Sequence, residues 1–182
     1  MKIISISGKM RHGKDTSANF IKKELEEQGK RVLIIHYGDY LKFLLKSYYG
    51  WSGNKADKGS RELLQHFGTD IIRKQEPYFW VDNVIHFLKL TQADWDFVLI
   101  PDTRFPDEIV RQINAFGREN VLTIRVDRLD FTPEGTTQEQ LQHESEVALD
   151  HYPFDYYFYN TKDLEGLREK VHVFCKEVLY NF

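Results

Sequence analysis

The stretch that most constrains this chain is residues 2–21, KIISISGKMRHGKDTSANFI, which reads as a strand, a glycine-rich turn and a helix. Lys2 to Ser7 set Ile3, Ile4 and Ile6 among serines, as a short buried strand does. From Asp15 to Gln28, the residues Ala18, Ile21 and Leu25 recur at helical spacing until Gly29 stops the run. Between the two, Gly8 and Gly13 frame a loop that Lys14 closes, with the spacing G-x-x-x-x-G-K. A strand before and a helix after is the context a phosphate-binding loop requires. Glycines let backbone N–H groups converge on an anion, and the helix N-terminus adds a favourable dipole at the same point. Lys14 then reaches the terminal phosphates. Lys9, Arg11 and His12 add three basic groups to the loop.

The residue after Lys14 is Asp15 rather than Ser or Thr, and Thr16 follows. In GTPases and many ATPases the hydroxyl directly after the lysine holds Mg²⁺, so a GTPase-type switch is disfavoured. A GK-x-T ending is similar to nucleoside monophosphate kinases of the adenylate kinase kind. That resemblance implies that Thr16 contacts the α-phosphate and that Mg²⁺ is held largely through water. Length and charge narrow the class further. With 182 residues, one compact α/β domain with a small insertion is expected, and a net charge of −3 disfavours general nucleic-acid binding. The single cysteine, Cys175, excludes an internal disulfide and reads as a buried small hydrophobe. Without a signal peptide or an apolar spanning run, the expected place is the cytoplasm, with no membrane partner.

Along the chain, Arg31 to Ile35 (RVLII) has the continuous apolar character of a strand covered on both faces. Tyr40 to Tyr49 reads as a helix. Asp39, just before it, serves equally as an N-cap and as a carboxylate on the sheet edge where ligands of open α/β sheets bind, and the two roles are compatible. Residues 51–60 read as a loop, Arg61 to Lys74 as a helix, and Pro77 opens another, so that residues 40–90 form a helical insertion between strands. Phe97 to Ile100 is a strand that delivers PDTRFPDE at its tip. Asp102 there is a Walker-B-like carboxylate and the first candidate for organising Mg²⁺, directly or through water. Arg104 faces the same cleft, where it can grip a phosphate bidentately or pair with Asp107 or Glu108.

Further on, Asp107 to Phe116 is a short helix and Val121 to Val126 a strand, with Arg125 on it and Arg128 at its exit. From Leu129 to Thr161 there is no Lys or Arg. A lid over a nucleotide normally carries arginines, so a transition-state arginine must come from Arg125, Arg128 or the phosphate loop. Thr137 and Gln140 have capping spacing. Tyr156 to Tyr159 is the last strand, residues 160–162 a turn, and Asp163 to Tyr180 the closing helix, with Leu164, Leu167, Val171, Phe174 and Val178 inward.

GKMRHGKDTSANFI, RELLQHFGTDIIRK, WVDNVIHFL, PDTRFPDE, HESEVALDHYPFD and YYFYNTKDLEGL stand in the order seen in the phage-type deoxynucleoside monophosphate kinases, which the chain resembles over nearly its whole length. The most specific pieces are the loop ending GKDT, the LLQ-x-x-GTD-x-x-R helix and the D-x-RF-P-DE turn. Animal-type phosphomevalonate kinase is similar at several of the same places. The resemblance implies a P-loop kinase fold, an α/β architecture of five parallel strands in the order 2-3-1-4-5 with helices on both faces. It also implies a helical acceptor-binding insertion at 39–92 and a lid-like segment at 128–150.

The chemistry that the resemblance implies is ATP-dependent, Mg²⁺-assisted phosphorylation of a deoxynucleoside monophosphate. It also implies that donor phosphates lie on Gly8, Lys9, Arg11, Gly13, Lys14, Asp15 and Thr16, with Arg125 and Asn160 nearby. The acceptor lies on Asp39, Lys42, Arg73, Trp80 and Arg104. Lys14, Asp39, Asp102, Arg104 and Arg128 carry the transfer, Asp39 orienting the acceptor or organising the metal. His143, Ser145 and Glu146 match a family stretch near the nucleotide, without a physical role evident in sequence. Gly38, Asp39, Tyr40, Leu41 and Lys42 depart from the family's A-D-P-L-K. Partners are small-molecule nucleotides, and a homodimer is compatible with the pattern. Two rival readings are a kinase of another phosphorylated metabolite such as phosphomevalonate, and a regulator that binds ATP without transferring it.

Overall fold

The computed structural model describes residues 1–54, 59–129, 131–160 and 163–182. Residues 55–58 of the expected 51–60 loop, residue 130, and residues 161–162 of the expected turn lie outside the described residues. Strands β1 (Lys2–Ser7), β2 (Val32–Ile34), β3 (Phe97–Ile100), β4 (Val121–Arg128) and β5 (Tyr156–Asn160) form one sheet in the order β2-β3-β1-β4-β5. Every pairing is parallel, with Ile4 of β1 opposite Leu99 on one side and Leu122 on the other. The expected α/β class and strand order are therefore those observed. β1 lies at the centre because Ile3, Ile4 and Ile6 leave no surface exposed, which demands cover on both faces.

The two-residue period of the strands divides the core. Ile4 and Ile6 point to the face covered by α1 (Lys14–Glu27) and α8 (Leu164–Glu177), where they meet Ile21, Leu25, Val171 and Phe174. Ile3, Val98 and Ile100 point to the other face, which is covered by α2 (Gly38–Tyr48) and α4 (Phe79–Leu90). There α5 (Pro106–Phe116) packs as well through Ile113 and Phe116. Leu164, expected inward, is two-thirds exposed at the first turn of α8, where the helix has yet to meet the sheet.

The expected single helix over 61–74 divides. α3 (Ser60–Gln65) is regular, and His66–Arg73 continues as a wider π-helix. The indole N–H of Trp80 donates to the Gly68 carbonyl at 2.8 Å, a bond that competes with the regular helical ladder at this point. Two short helices, α6 (Gln138–Gln142) and α7 (Glu144–Val147), lie in the lid-like segment. Thr137 and Gln140 make the expected reciprocal cap on α6. Leu149 and Phe154 anchor the end of that segment on Ile109 of α5. Among the described residues no helix is long and apolar enough to cross a membrane.

Candidate active site

All five strands run the same way, so their C-terminal tips share one edge, and the phosphate loop, His36, Asp102 and Arg128 all emerge there. The loop is shaped by its glycines. Gly8 has φ +147°, and a Cβ on it would lie 2.2 Å from the Val126 carbonyl oxygen. Gly13 has φ +105°, and a Cβ there would meet the Asn160 amide nitrogen at 2.9 Å. Any side chain at either place would push the loop off β4 and β5. Asn160, expected beside the donor, braces the loop by donating to the His12 carbonyl at 3.1 Å.

Lys14 is almost fully buried, and its ammonium donates to the Lys9 carbonyl at 2.8 Å across the loop. Burial, and then the charge of Arg104, lowers its pKa to about 7, against the opposing pull of Glu146, Asp15 and Asp102. A cation held in so poorly solvated a place gains strongly from an arriving anion. Asp15, expected among the phosphate contacts, accepts at 2.9 Å from His36 on the exposed shoulder of α1.

The other basic groups of the loop tie it to its surroundings. Lys9 pairs with Asp150 at 2.9 Å, and Arg11 donates to the Glu134 carbonyl at 3.0 Å. His12 is buried against β4 and accepts from the Arg128 N–H at 3.0 Å. Most informative is Glu146. Its Oε2 accepts the Met10 N–H of the loop at 3.0 Å, and its Oε1 takes the Arg104 guanidinium at 2.9 Å. Glu146 is a buried carboxylate that bridges the donor loop and the arginine expected for the acceptor. The signal in sequence was a 33-residue run without Lys or Arg beside a loop rich in both.

Arg104 leaves the tip of β3 as expected, but its partner is Glu146, with a longer bond at 3.3 Å to the Ser145 carbonyl. It is Arg73 that takes Asp107, through two contacts of 2.6 Å, while its guanidinium lies 3.6 Å over the Phe105 ring. Arg73, expected at the acceptor, thus clamps the π-helix to α5. Glu108, not singled out in sequence, accepts the N–H groups of Arg104 at 2.7 Å and Phe105 at 3.1 Å, which fixes the turn that aims Arg104. Complete burial pushes its carboxyl up to about 8.

Asp102 accepts the N–H of Tyr37 and of Gly38, both at 2.9 Å. It therefore caps α2 from across the sheet edge, the task expected of Asp39. Asp39 lies inside the first turn of α2 instead, bonded to Lys42 at 2.7 Å and to His36 at 3.3 Å. Burial opposes charge on His36, yet its bonds to Asp15 and Asp39 outweigh that and lift the imidazole to about 9. Asp39 loses some solvation as well, but His36 and Lys42 hold its carboxyl well below the usual carboxylate range. Asp15, His36, Asp39 and Lys42 form one chain of ions from the start of α1 to α2.

Three further expected site residues have protein partners of their own. Arg125 is buried and bound to Asp127 at 3.0 Å and Asp150 at 2.9 Å, which ties β4 to the segment that follows it. Trp80 is a core residue whose N–H is spent on Gly68, leaving its ring packed against Phe79 and Tyr40. Arg128 stacks at 3.9 Å on Phe131, and its Nε is buried without a hydrogen-bond partner among the described residues. Tyr40 of α2 is 45% exposed, and its ring stacks with Phe43 at 6.3 Å and with Phe79 at 6.1 Å.

No protein-family model matches the chain, and no curated protein matches it. Solved structures do match in fold. The APS kinase of Mycobacterium tuberculosis superposes with a TM-score of 0.53 at 15% identity, covering 97% of each chain. The same enzyme in complex with AMPPNP and APS gives 0.53 at 10% identity, over 97% of this chain and 98% of the other. Shikimate kinase of Bacteroides thetaiotaomicron gives 0.54 at 17% identity, covering 100% of this chain and 99% of the other. At these identities the likeness is one of fold, and the fold is that of P-loop kinases.

Proposed function

We propose that the chain is an ATP-dependent kinase of deoxynucleoside monophosphates. The observation that carries the reading is the Glu146 bridge. One carboxylate holds both a loop amide and Arg104, so an anion can face the donor loop and the acceptor arginine together. The structural neighbours include an APS kinase, also known in complex with AMPPNP and APS, and a shikimate kinase, which supports the donor chemistry. The exposed stack of Tyr40 with Phe43 and Phe79 favours a flat base as acceptor over an aliphatic acid.

In this reading the loop amides and Lys14 bind the β- and γ-phosphates of ATP, and Lys14 follows the γ-phosphoryl group as charge spreads over its oxygens. Arg104 holds the acceptor phosphate, and Lys42, fixed by Asp39, lies beside it on α2. The acceptor oxygen is already ionised, so no strong general base is needed. Among the described residues no cluster of His, Cys, Asp and Glu suits a metal, and both oxygens of Asp102 are engaged. These residues fit a Mg²⁺ that is held by nucleotide phosphates and water, with Asp102 and Asp15 reached through water, and the ion would supply charge neutralisation between the phosphates. The helices of 39–92 then serve as the acceptor side, and 128–150 as a lid. A coupled ADP-release assay across the deoxynucleoside monophosphates, with mevalonate phosphate included, tests this. Turnover of a deoxynucleoside monophosphate is the expected result, and release of ADP only with mevalonate phosphate, or with none, sinks it.

A further inference from the structure

Among the described residues Arg61 belongs to none of the ion pairs of the site. It is the second residue of α3, partly buried, and its Nη1 is buried with no hydrogen-bond partner among the described residues. An unpaired guanidinium N–H costs free energy unless something meets it. The groups around it are those of the site. Burial first, and then the charges of Arg11 and Arg104, disfavour its positive form, while Glu146 and Glu62 favour it.

Both of those carboxylates have other partners. Glu146 is shared by Met10 and Arg104, and Glu62 accepts from Gln140 of α6 at 2.5 Å. The Glu62 bond also fixes α3 beneath the lid-like segment, which keeps Arg61 where the loop, the β3 tip and α7 converge. Lys14, Arg104 and Arg61 thus collect around a single bridging carboxylate, with Arg11 beside Arg61. The segment from Leu129 to Thr161 cannot add another cation, and Arg125 is spent on Asp127 and Asp150.

We propose that Arg61 is a catalytic residue which donates to the oxygens of the phosphoryl group in transit, the helical insertion supplying an arginine where residues 129–161 have none. This rests on the kinase reading of the site. In the step, an oxygen of the acceptor phosphate forms a bond to the γ-phosphorus, and the bond from that phosphorus to the β–γ bridging oxygen breaks. The electron pair stays with ADP, and no proton need move. Arg61 meets the equatorial oxygens, where charge gathers, while Lys14 and Arg104 hold the two ends.

Two binding measurements and one kinetic measurement test this on the full chain. Arg61→Gln should bind AMPPNP about tenfold more weakly than wild type and ADP equally well, because only the former carries a third phosphoryl group. Its kcat should fall by about 10²- to 10³-fold, with a much smaller rise in the KM for the acceptor. Arg61→Lys should show the same pattern with partial recovery, and it decides the matter if Arg61→Gln fails to fold. Equal loss of AMPPNP and ADP binding, or loss of neither, overturns the assignment. The binding arms need no acceptor. A wild-type protein that binds AMPPNP yet phosphorylates no deoxynucleoside monophosphate would therefore sink the substrate reading and leave the Arg61 result standing.

Discussion

The two faces of the sheet are built differently. The face under α1 and α8 is regular, with two 14-residue helices packed on Ile4, Ile6, Leu99, Ile124 and Val126, and its buried rings, Phe97, Phe158 and Phe174, carry no polar atom. The opposite face is irregular, and its buried rings do carry polar atoms. It holds Tyr37, Trp51 and Trp80, a π-helical stretch, and a buried polar chain in which Ser5 donates to Gln112 at 2.5 Å and Gln112 donates to the Tyr37 hydroxyl. Close apolar packing between regular elements has few alternative arrangements, which suits the face that carries the glycine loop on α1. Short helices and polar links tolerate rearrangement more readily.

The largest effect that could break this contrast is in stability. Ile21→Ala on the face under α1 and α8 should cost about 2–5 kcal/mol in denaturant unfolding, while Tyr37→Phe on the other should cost about 1–2 kcal/mol by leaving Gln112 short of a partner. Equal costs would show that the two faces are equally intolerant. On the donor side, Lys14→Ala should reduce kcat by about 10²- to 10³-fold and leave the protein folded. Lys14 titrates near 7 when folded against its ordinary value of 10.5, so the unfolded chain binds more protons between those values. Its burial therefore costs stability at and below pH 7, and the cost fades as pH rises toward 10.5. The Lys14→Met variant should be the more stable protein at pH 7, and the difference should vanish above pH 10.5 in parallel melts.

On the acceptor side, Arg104→Ala should raise the monophosphate KM by about ten- to a hundredfold, the equivalent of about 1.5–3 kcal/mol, and move ATP affinity little. If titration of each nucleotide shows ATP weakened and the monophosphate unchanged, the two sites are reversed. The smallest effect concerns the ion chain that links them. The raised pKa of His36 gives it a stabilising share that is complete below pH 6.5 and lost as pH rises through about 9. The stability difference between wild type and His36→Asn should shrink across that window. A constant difference would mean that His36 acts by packing alone.

How much of this is legible in sequence depends on how local each signal is. The strands, the loop from Gly8 to Lys14 and the strand-tip position of Arg104 are written in short-range period and spacing, and each was found where the sequence put it. Glu146, Glu108 and Arg61 were not, because their roles depend on contacts between distant segments, such as Glu146 with Met10, 136 positions away. Asp102 takes the capping task expected of Asp39 for the same reason, since a helix can be capped from another strand as well as from its own start. Arginines were the least legible. Arg73, Arg104 and Arg125 are all near carboxylates in sequence, and only packing decides which of them a carboxylate consumes.

The asymmetry of the two faces extends to their optical and chemical reporters. All three tryptophans belong to the irregular face, Trp51 and Trp80 within its core and Trp95 packed against it. The one thiol, Cys175, is buried in the opposite face, where burial lifts its pKa to about 12 and leaves it unreactive while the fold is intact. Intrinsic fluorescence therefore tracks one layer of the molecule, and thiol trapping tracks the other, with no label introduced. Coincident transitions by the two probes would show the sheet and both its covers melting as one unit, and an early fluorescence change would show the irregular layer loosening first.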